Sequence, residues 1–464
     1  MKKSNILIIV CDQLSATALR AYGNTYAKTP NIDALLKKGV RFEHAYCSYP
    51  LCQPARASFW TGLYPHSTGV TSNGRNIEVD KVSSDIPTLG SLFSDAGYLT
   101  VHYGKAHDAG SLRGFEVVKP NPKREPQDPN WELRHEAAND ASATEQMVDF
   151  LDSYNQPSPF LAVADLQNPH NICSWIGRYS DSQEFEPCDD LPALPENLYI
   201  DDFEKRPKPV QYICCAHNRQ AQVSKFSEEG VRQYLKAYHG YMTQVDIEVG
   251  KILNALNKRS DADDTTIVFF SDHGDSMFGR WMATKHTSFY DETTRIPFAF
   301  VGPTVNGEDR VVRGPVSQLD LLPTLCESVG IDVPQKQHGR SLLPWLKEKR
   351  NDQPNKYVAS QWYSEWGFTI EPGRMLRTER YKYTCYREEE GEELYDLEND
   401  PLEMKTLIDD PKYAEILKEH RELFALYIKE TDDDFLSLDW KADKRWRSHV
   451  PGFRCHEGPA APQV

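Results

Sequence analysis

No stretch of this 464-residue chain is apolar for long enough to cross a bilayer, and no internal repeat or low-complexity tract stands out. A helical membrane span and a repeat architecture are therefore not expected. Excess positive charge is also missing. The 53 Lys and Arg face 69 Asp and Glu, a net charge of −16, so nucleic acid is not an expected partner. An anionic substrate would have to be met by cations gathered locally. The 10 cysteines show no framework spacing, and Cys214 and Cys215 are adjacent, which fits a reducing compartment better than a disulfide scaffold. The opening "MKKSNILIIVCDQ" imitates a signal peptide, but its apolar run Ile6 to Cys11 is short and is stopped by Asp12. It reads instead as a buried first strand. The chain as written is expected in the cytoplasm, or in the periplasm if a leader was removed.

What is present points to a soluble enzyme-sized α/β protein. Hydrophobic residues make up 39% and charged residues 26% of the chain, and its length favours one large domain plus a smaller one. "NILIIVCD" is a continuous β-branched run. "TPNIDALLKKG" follows with a Thr cap, Pro at the first helical position, helical apolar spacing and a closing Gly. Helix-then-strand units recur in "IPTLGSLFSDAGYLTVHYGK", in "ATEQMVDFLDSY" before "PFLAVADLQ", and in "VRQYLKAYHGYMTQVDIEVGKILNAL" before "TTIVFFSD". Fully apolar strands alternating with helices predict a large mixed, mostly parallel sheet sandwiched by helices. The charged, Pro-containing "KEKRNDQPNKY" suggests a break, with a catalytic domain over 1–350 and a smaller antiparallel sheet plus helix over 351–464.

The polar residues that interrupt this pattern share one location. Asp12 and Gln13 follow the first strand, Lys105 and His107 follow "YLTVHYG", His170 follows "PFLAVADLQNP", and Asp272 with His273 follows "TTIVFFS". Open α/β sheets bind ligands outside the carboxyl ends of their strands, so four elements would deliver charged or metal-binding groups to one edge.

In "SYPLCQPARASFWTGLYPHSTGV" the series Cys52-x-Pro54-x-Arg56, ending in Thr61-Gly62, resembles the signature of the formylglycine-dependent sulfatases of the alkaline-phosphatase-like superfamily. "ILIIVCDQ", "YGKAH", "NPH", "FFSDHGD", Lys285, "YDETTRIPF" and the carboxyl-terminal "RMLRTERYKYTCYREEEGEELYDLENDPLE" extend the resemblance over nearly the whole chain. It implies that Cys52 is oxidised to formylglycine by a formylglycine-generating enzyme. One hydroxyl of the aldehyde hydrate would attack sulfur, and the other would then expel sulfate and restore the aldehyde. It further implies a divalent metal held by Asp12, Gln13, Asp272 and His273. Calcium is the first choice for oxygen ligands; magnesium remains an alternative, and the imidazole leaves manganese open. Arg56 would hold the hydrate, Lys105 and Lys285 the sulfate oxygens, His107 would take the proton in the elimination, and His170 would protonate the leaving oxygen. Gln13 and His273 resemble the branch of choline sulfatases and phosphonate or phosphodiester monoester hydrolases, whereas the Lys105-x-His107 pair looks like the sulfatase pattern. A non-catalytic, sulfate-binding member would lack the cysteine or a metal ligand; neither is missing.

The substrate is expected to be a small sulfated molecule, with a sulfated sugar favoured over an unfunctionalised aryl sulfate. Trp175 and Arg178 follow His170 closely enough to line the same mouth, and Asn73 in "SNGRN" is a further lining candidate. Strand alternation in "PGRMLRTERYKYTCY" puts Arg374, Arg380 and Lys382 on one face and Arg377 on the other. From there Arg374 or Arg377 would reach a carboxylate or second sulfate.

Overall fold

The computed structural model describes residues 4–437 except 75–79, 122–130, 180–183, 186–187, 201–204, 208, 211–222, 224–225, 286–287, 351, 364–371 and 388–390; for 131–137 it describes the backbone alone. Cys214 and Cys215, and the tail of the smaller domain from 438 on, lie outside the described residues.

Nine strands form the large sheet among the described residues: β1 (Asn5–Asp12), β2 (Val40–Tyr46), β3 (Leu99–Gly104), β4 (Glu116–Val118), β5 (Phe160–Pro169), β6 (Thr265–Ser271), β7 (Arg295–Ile296), β8 (Phe298–Val301) and β9 (Arg310–Ser317). They lie in the order β4-β3-β5-β1-β6-β8-β2-β7, with β9 beside β2. β1 pairs in parallel with β5 and β6, β3 with β4 and β5, and β2 with β9, while β8 runs antiparallel to β6 and to β2. The expected mixed, mostly parallel sheet is what forms.

Strand alternation decides how this sheet is covered. Leu7, Ile9 and Cys11 of β1 enter a core with Tyr238, Met242 and Val249 of the Glu228–Asn257 helix. Ile6, Ile8 and Val10 enter the opposite core with Phe59 and Trp60 of the Cys52–Thr61 helix and Leu325 of the Leu321–Val329 helix. Each fully buried aliphatic side chain here removes apolar surface worth ~2–3 kcal/mol from water. With both faces covered, polar groups are tolerated only at the strand ends or when paired.

One expected detail differs. Thr29 makes no capping bond to the Pro30–Lys37 helix. The Asp246 carboxylate, from the Glu228–Asn257 helix, instead accepts the first N–H groups of Asn31 (3.2 Å) and Ile32 (2.8 Å). A charged acceptor across the core satisfies these orphan donors and favours the helix dipole.

β10 (Val358–Trp362), β11 (Gly373–Arg377), β12 (Tyr381–Tyr386) and β13 (Glu392–Asp396) form an antiparallel sheet in that order. Leu417, Leu423, Phe424 and Tyr427 of the Ala414–Thr431 helix pack on it through Ala359, Leu376, Tyr383 and Leu394, and Tyr64 and Leu319 join from the large layer. The expected grouping of the basic residues fails in this sheet. Arg377 lies directly opposite Lys382 and Arg374 opposite Cys385, so Lys382 shares its face with Arg377. The turn between β11 and β12 resets the alternation, and cross-strand register sets the face.

Candidate active site

The carboxyl ends of β1, β3, β5 and β6 converge on the amino-terminal end of the Cys52–Thr61 helix. Pro54 sits in that helix's first turn, where its missing N–H leaves no bond unmade, and Gly62 closes it with φ 70°. Asn73 Oδ1 accepts the N–H of Gln53 at 3.0 Å, so this residue caps the helix that carries Cys52.

Cys52 is buried with its sulfur 3.0 Å from Lys285 Nζ, 3.2 Å from His273 Nε2 and 3.6 Å from Asp12 Oδ1. His107 and His170 are also close enough to the sulfur to act on its charge. Burial alone would raise the thiol's pKa, but Lys105, Lys285 and His273 together hold it well below its ordinary value. Position 52 is thus a place where negative charge is stabilised.

Arg56, one helical turn on, is fully enclosed and binds three carboxylates: Asp165 at 2.5 Å, Asp272 at 3.0 Å and Asp12 at 3.3 Å. Lys105 also pairs with Asp12 Oδ2. Burial would raise the Asp12 carboxyl, but Lys105, His170 and Lys285 outweigh it and leave the group far below the usual carboxylate range. Asp272 goes the other way, to about 6, through burial and the neighbouring Asp12 charge.

Asp12, Cys52, Asp272 and His273 place their ligand atoms within 4.8 Å of one another, all buried. His273 Nδ1 lies 2.9 Å from the Gly274 carbonyl, which fixes a proton on Nδ1 and turns Nε2 towards the carboxylates; against burial, Asp272 and Cys52 raise its proton affinity. Two carboxylates and an imidazole so oriented fit a divalent cation, which would take the place of the Nε2 proton. Gln13 is adjacent, but its Nε2 donates to Asp275 (2.6 Å) and its Oε1 accepts from Cys173 (3.8 Å).

His170 stands beside Cys52 as expected, but its proton affinity is not the ordinary one. Burial, then Lys285 and Lys105, push its pKa down to about 4, so the imidazole is neutral near pH 7 in the free site. The turn before it is held by Asp140, which accepts the N–H groups of Gln167 (2.5 Å) and Asn168 (3.0 Å).

The remaining expected substrate contacts are placed differently. Trp175 packs among Tyr179, Phe185 and Tyr234, with ring centroids at 4.8, 5.8 and 6.0 Å. Arg178 lies exposed over the Tyr179 ring at 5.6 Å. Arg374 is buried against Asp433, with Nε at 2.7 Å and Nη2 at 2.9 Å, and Arg377 Nε donates to Tyr46 Oη at 2.9 Å. Arg374 thus ties the small sheet to the segment at Asp433, and Arg377 ties it to Tyr46 of β2. Lys382 likewise pairs with Asp291 and Glu403, and Arg380 with Asp396. A cleft of about 320 Å³ beside Lys105 and His107 is walled instead by Lys119, Asn139 and Gln167.

Sequence reasoning missed Asp165 and its neighbour His102, whose Nε2 lies 3.2 Å from Asp165 Oδ2. The signal was there: an Asp inside the apolar "FLAVADLQ" can be buried only with a charged partner. Asp275 and Tyr234 were missed as well.

A buried thiol among lysines and imidazoles, beside a compact oxygen-and-nitrogen ligand cluster at the carboxyl edge of an α/β sheet, defines a hydrolase for anionic esters. The sulfatase family profile matches residues 4–331, and an N-sulphoglucosamine sulphohydrolase C-terminal profile matches 279–429. The chain belongs to the sulfatase family and is a sulfuric ester hydrolase. It is 44% identical to a Delta 4,5-hexuronate-2-O-sulfatase of Bacteroides thetaiotaomicron, over 100% of this chain and 96% of the relative. A solved 2-O GAG sulfatase matches with a TM-score of 0.91 at 44% identity, covering 100% of both chains. A phosphonate monoester hydrolase of Agrobacterium radiobacter, 22% identical over 94% of this chain and 97% of its own, shares the fold with a TM-score of 0.76. Among the described residues no helix is long and apolar enough to cross a membrane.

Proposed function

We propose that this sulfatase hydrolyses a sulfate ester on a carbohydrate, with a 2-O-sulfated hexuronate as the candidate substrate. The observation that carries the reading is the ring of Lys105, Lys285, His107 and His170 around Cys52, joined to end-to-end similarity to a hexuronate 2-O-sulfatase. Converted to formylglycine by a maturation enzyme, position 52 would supply two hydroxyls on one carbon, one to attack sulfur and one to release sulfate. Asp12, Asp272 and His273, with Gln13 alongside, would hold calcium, which would offset charge on the sulfate oxygens.

The chain's own groups do the rest. Lys105 and Lys285 bind sulfate oxygens, and Arg56 keeps the three carboxylates in place behind them. His107 accepts the proton from position 52 during release. His170 donates to the departing sugar oxygen. Its depressed pKa supplies a coupling: burial and then two lysines hold the imidazole unprotonated, and sulfate that neutralises those lysines raises its proton affinity. The domain limits near 350 belong to the same reading, with the smaller unit closing one side of the pocket.

The test is sulfate release by enzyme from a modification-competent host, assayed on a 2-O-sulfated unsaturated hexuronate disaccharide, other sulfated sugars, choline sulfate and a phosphonate monoester. The disaccharide should be preferred, Cys52→Ala should be inactive, and exhaustive chelation should abolish turnover. Faster turnover of the phosphonate, or of choline sulfate, would overturn the assignment.

A further inference from the structure

Lys285 reaches Cys52 from a backbone in an uncommon conformation. The residue before it, Thr284, has φ 64°, and Gln13, next to Asp12, has φ 70°. For residues with a Cβ the left-handed region costs roughly 1–2 kcal/mol, so each needs something outside its own loop to hold it. The same buried network holds both. Tyr234, on the Glu228–Asn257 helix, accepts the Thr284 N–H on its hydroxyl at 3.1 Å and donates that hydroxyl to Asp275, whose oxygens lie at 2.8 and 2.9 Å. Asp275 also accepts Gln13 Nε2 at 2.6 Å and the Met277 N–H at 2.8 Å.

We propose that Tyr234 is a positioning residue for catalysis: through its hydroxyl, braced by Asp275, it fixes Thr284 and so sets Lys285 Nζ against the reacting group at position 52. The inference rests on the reading of Lys285 as a sulfate-binding cation. Tyr234 acts on Lys285 through the backbone and needs no contact with substrate. Its ring is clamped by Phe278 and Trp175, with centroids at 4.9 and 6.0 Å, so the phenyl ring of a phenylalanine keeps the packing while the bridge between Asp275 and Thr284 is lost.

The test is a double-mutant cycle on kcat/KM with the best sulfated sugar, using the full chain from a modification-competent host. Tyr234→Phe should lose about 10- to 100-fold, the range for a hydrogen bond to a charged group. In the Lys285→Ala background the same substitution should lose less than about twofold, because its target is already gone. Inhibition by inorganic sulfate should weaken in Tyr234→Phe, a readout that general loosening of the fold would not move selectively. An unchanged Tyr234→Phe enzyme, or an equal loss in both backgrounds, overturns the proposal. Lys285→Ala alone reports on the underlying reading: if it keeps full activity, the sulfate-binding role of Lys285 fails separately. Should Tyr234→Phe fold poorly, Asp275→Asn enters the cycle in its place with the same criteria.

Discussion

Arg56→Met is the sharpest test of how the site is held together. The guanidinium lies between Asp12, Asp165 and Asp272 at 3.3, 2.5 and 3.0 Å, all without solvent contact, and methionine fills much of its volume without its charge. Asp12 keeps Lys105 and Lys285, Asp165 keeps His102, and Asp272 keeps the Gln13 and His273 N–H groups and the His273 imidazole but loses the guanidinium beside it. Removing one partner of a buried ion pair costs about 3–5 kcal/mol, because the other charge stays buried. For a chain this long the unfolding entropy is about 1 kcal/mol per kelvin, so the melting temperature should fall by ~3–5 °C at pH 7.5. The pH dependence gives the sign. Asp272 already has its carboxyl raised to about 6 by burial and the Asp12 charge, and without the Arg56 guanidinium it rises further. A carboxyl raised by folding binds its proton more tightly in the native state, so it favours folding at low pH and destabilises as pH climbs through its folded pKa. The deficit relative to the wild type should therefore shrink between pH 7.5 and 5.5. Thermal unfolding of both proteins with chelator present measures this. An unchanged melting temperature, or a deficit that grows on acidification, would refute the argument.

Arg374→Ala should behave as a structural lesion: loss of the buried pair with Asp433 costs about 3–5 kcal/mol, while KM for the sulfated sugar stays within about twofold. A large rise in KM with normal stability would restore it to the substrate site. His170→Ala should slow hydrolysis of a sugar sulfate far more than that of an activated aryl sulfate, since only an alkoxide needs the proton; equal losses would remove His170 from that role. His44, His239 and His338 are pushed down to about 3, 4 and 4, each chiefly by burial. Their unfolded forms take up protons near pH 6.5 while the native forms do not, so the stability they allow is full above 6.5 and is lost as pH falls towards 4. Melting scans should fall over that window, and a flat profile would contradict it.

The main elements, and the edge at which the polar groups gather, were legible from local pattern alone. "NILIIVCD" and "TTIVFFS" could hardly be anything but strands buried on both faces, and the polar groups at their ends had nowhere to sit but the carboxyl edge. The Cys52-x-Pro54-x-Arg56 series placed Cys52 and Arg56 one turn apart on a helix, an arrangement fixed by local geometry. Tertiary structure decided everything that depends on which distant groups meet. Burial and two lysines moved His170 to about 4, which the side chain alone could not reveal. The turn before β12 set Lys382 beside Arg377, and Asp433, at a sequence distance of 59, took Arg374 out of contention for substrate. Periodicity reports which way a residue faces within its own strand, whereas charge compensation and pKa depend on partners that only folding brings within a few ångströms.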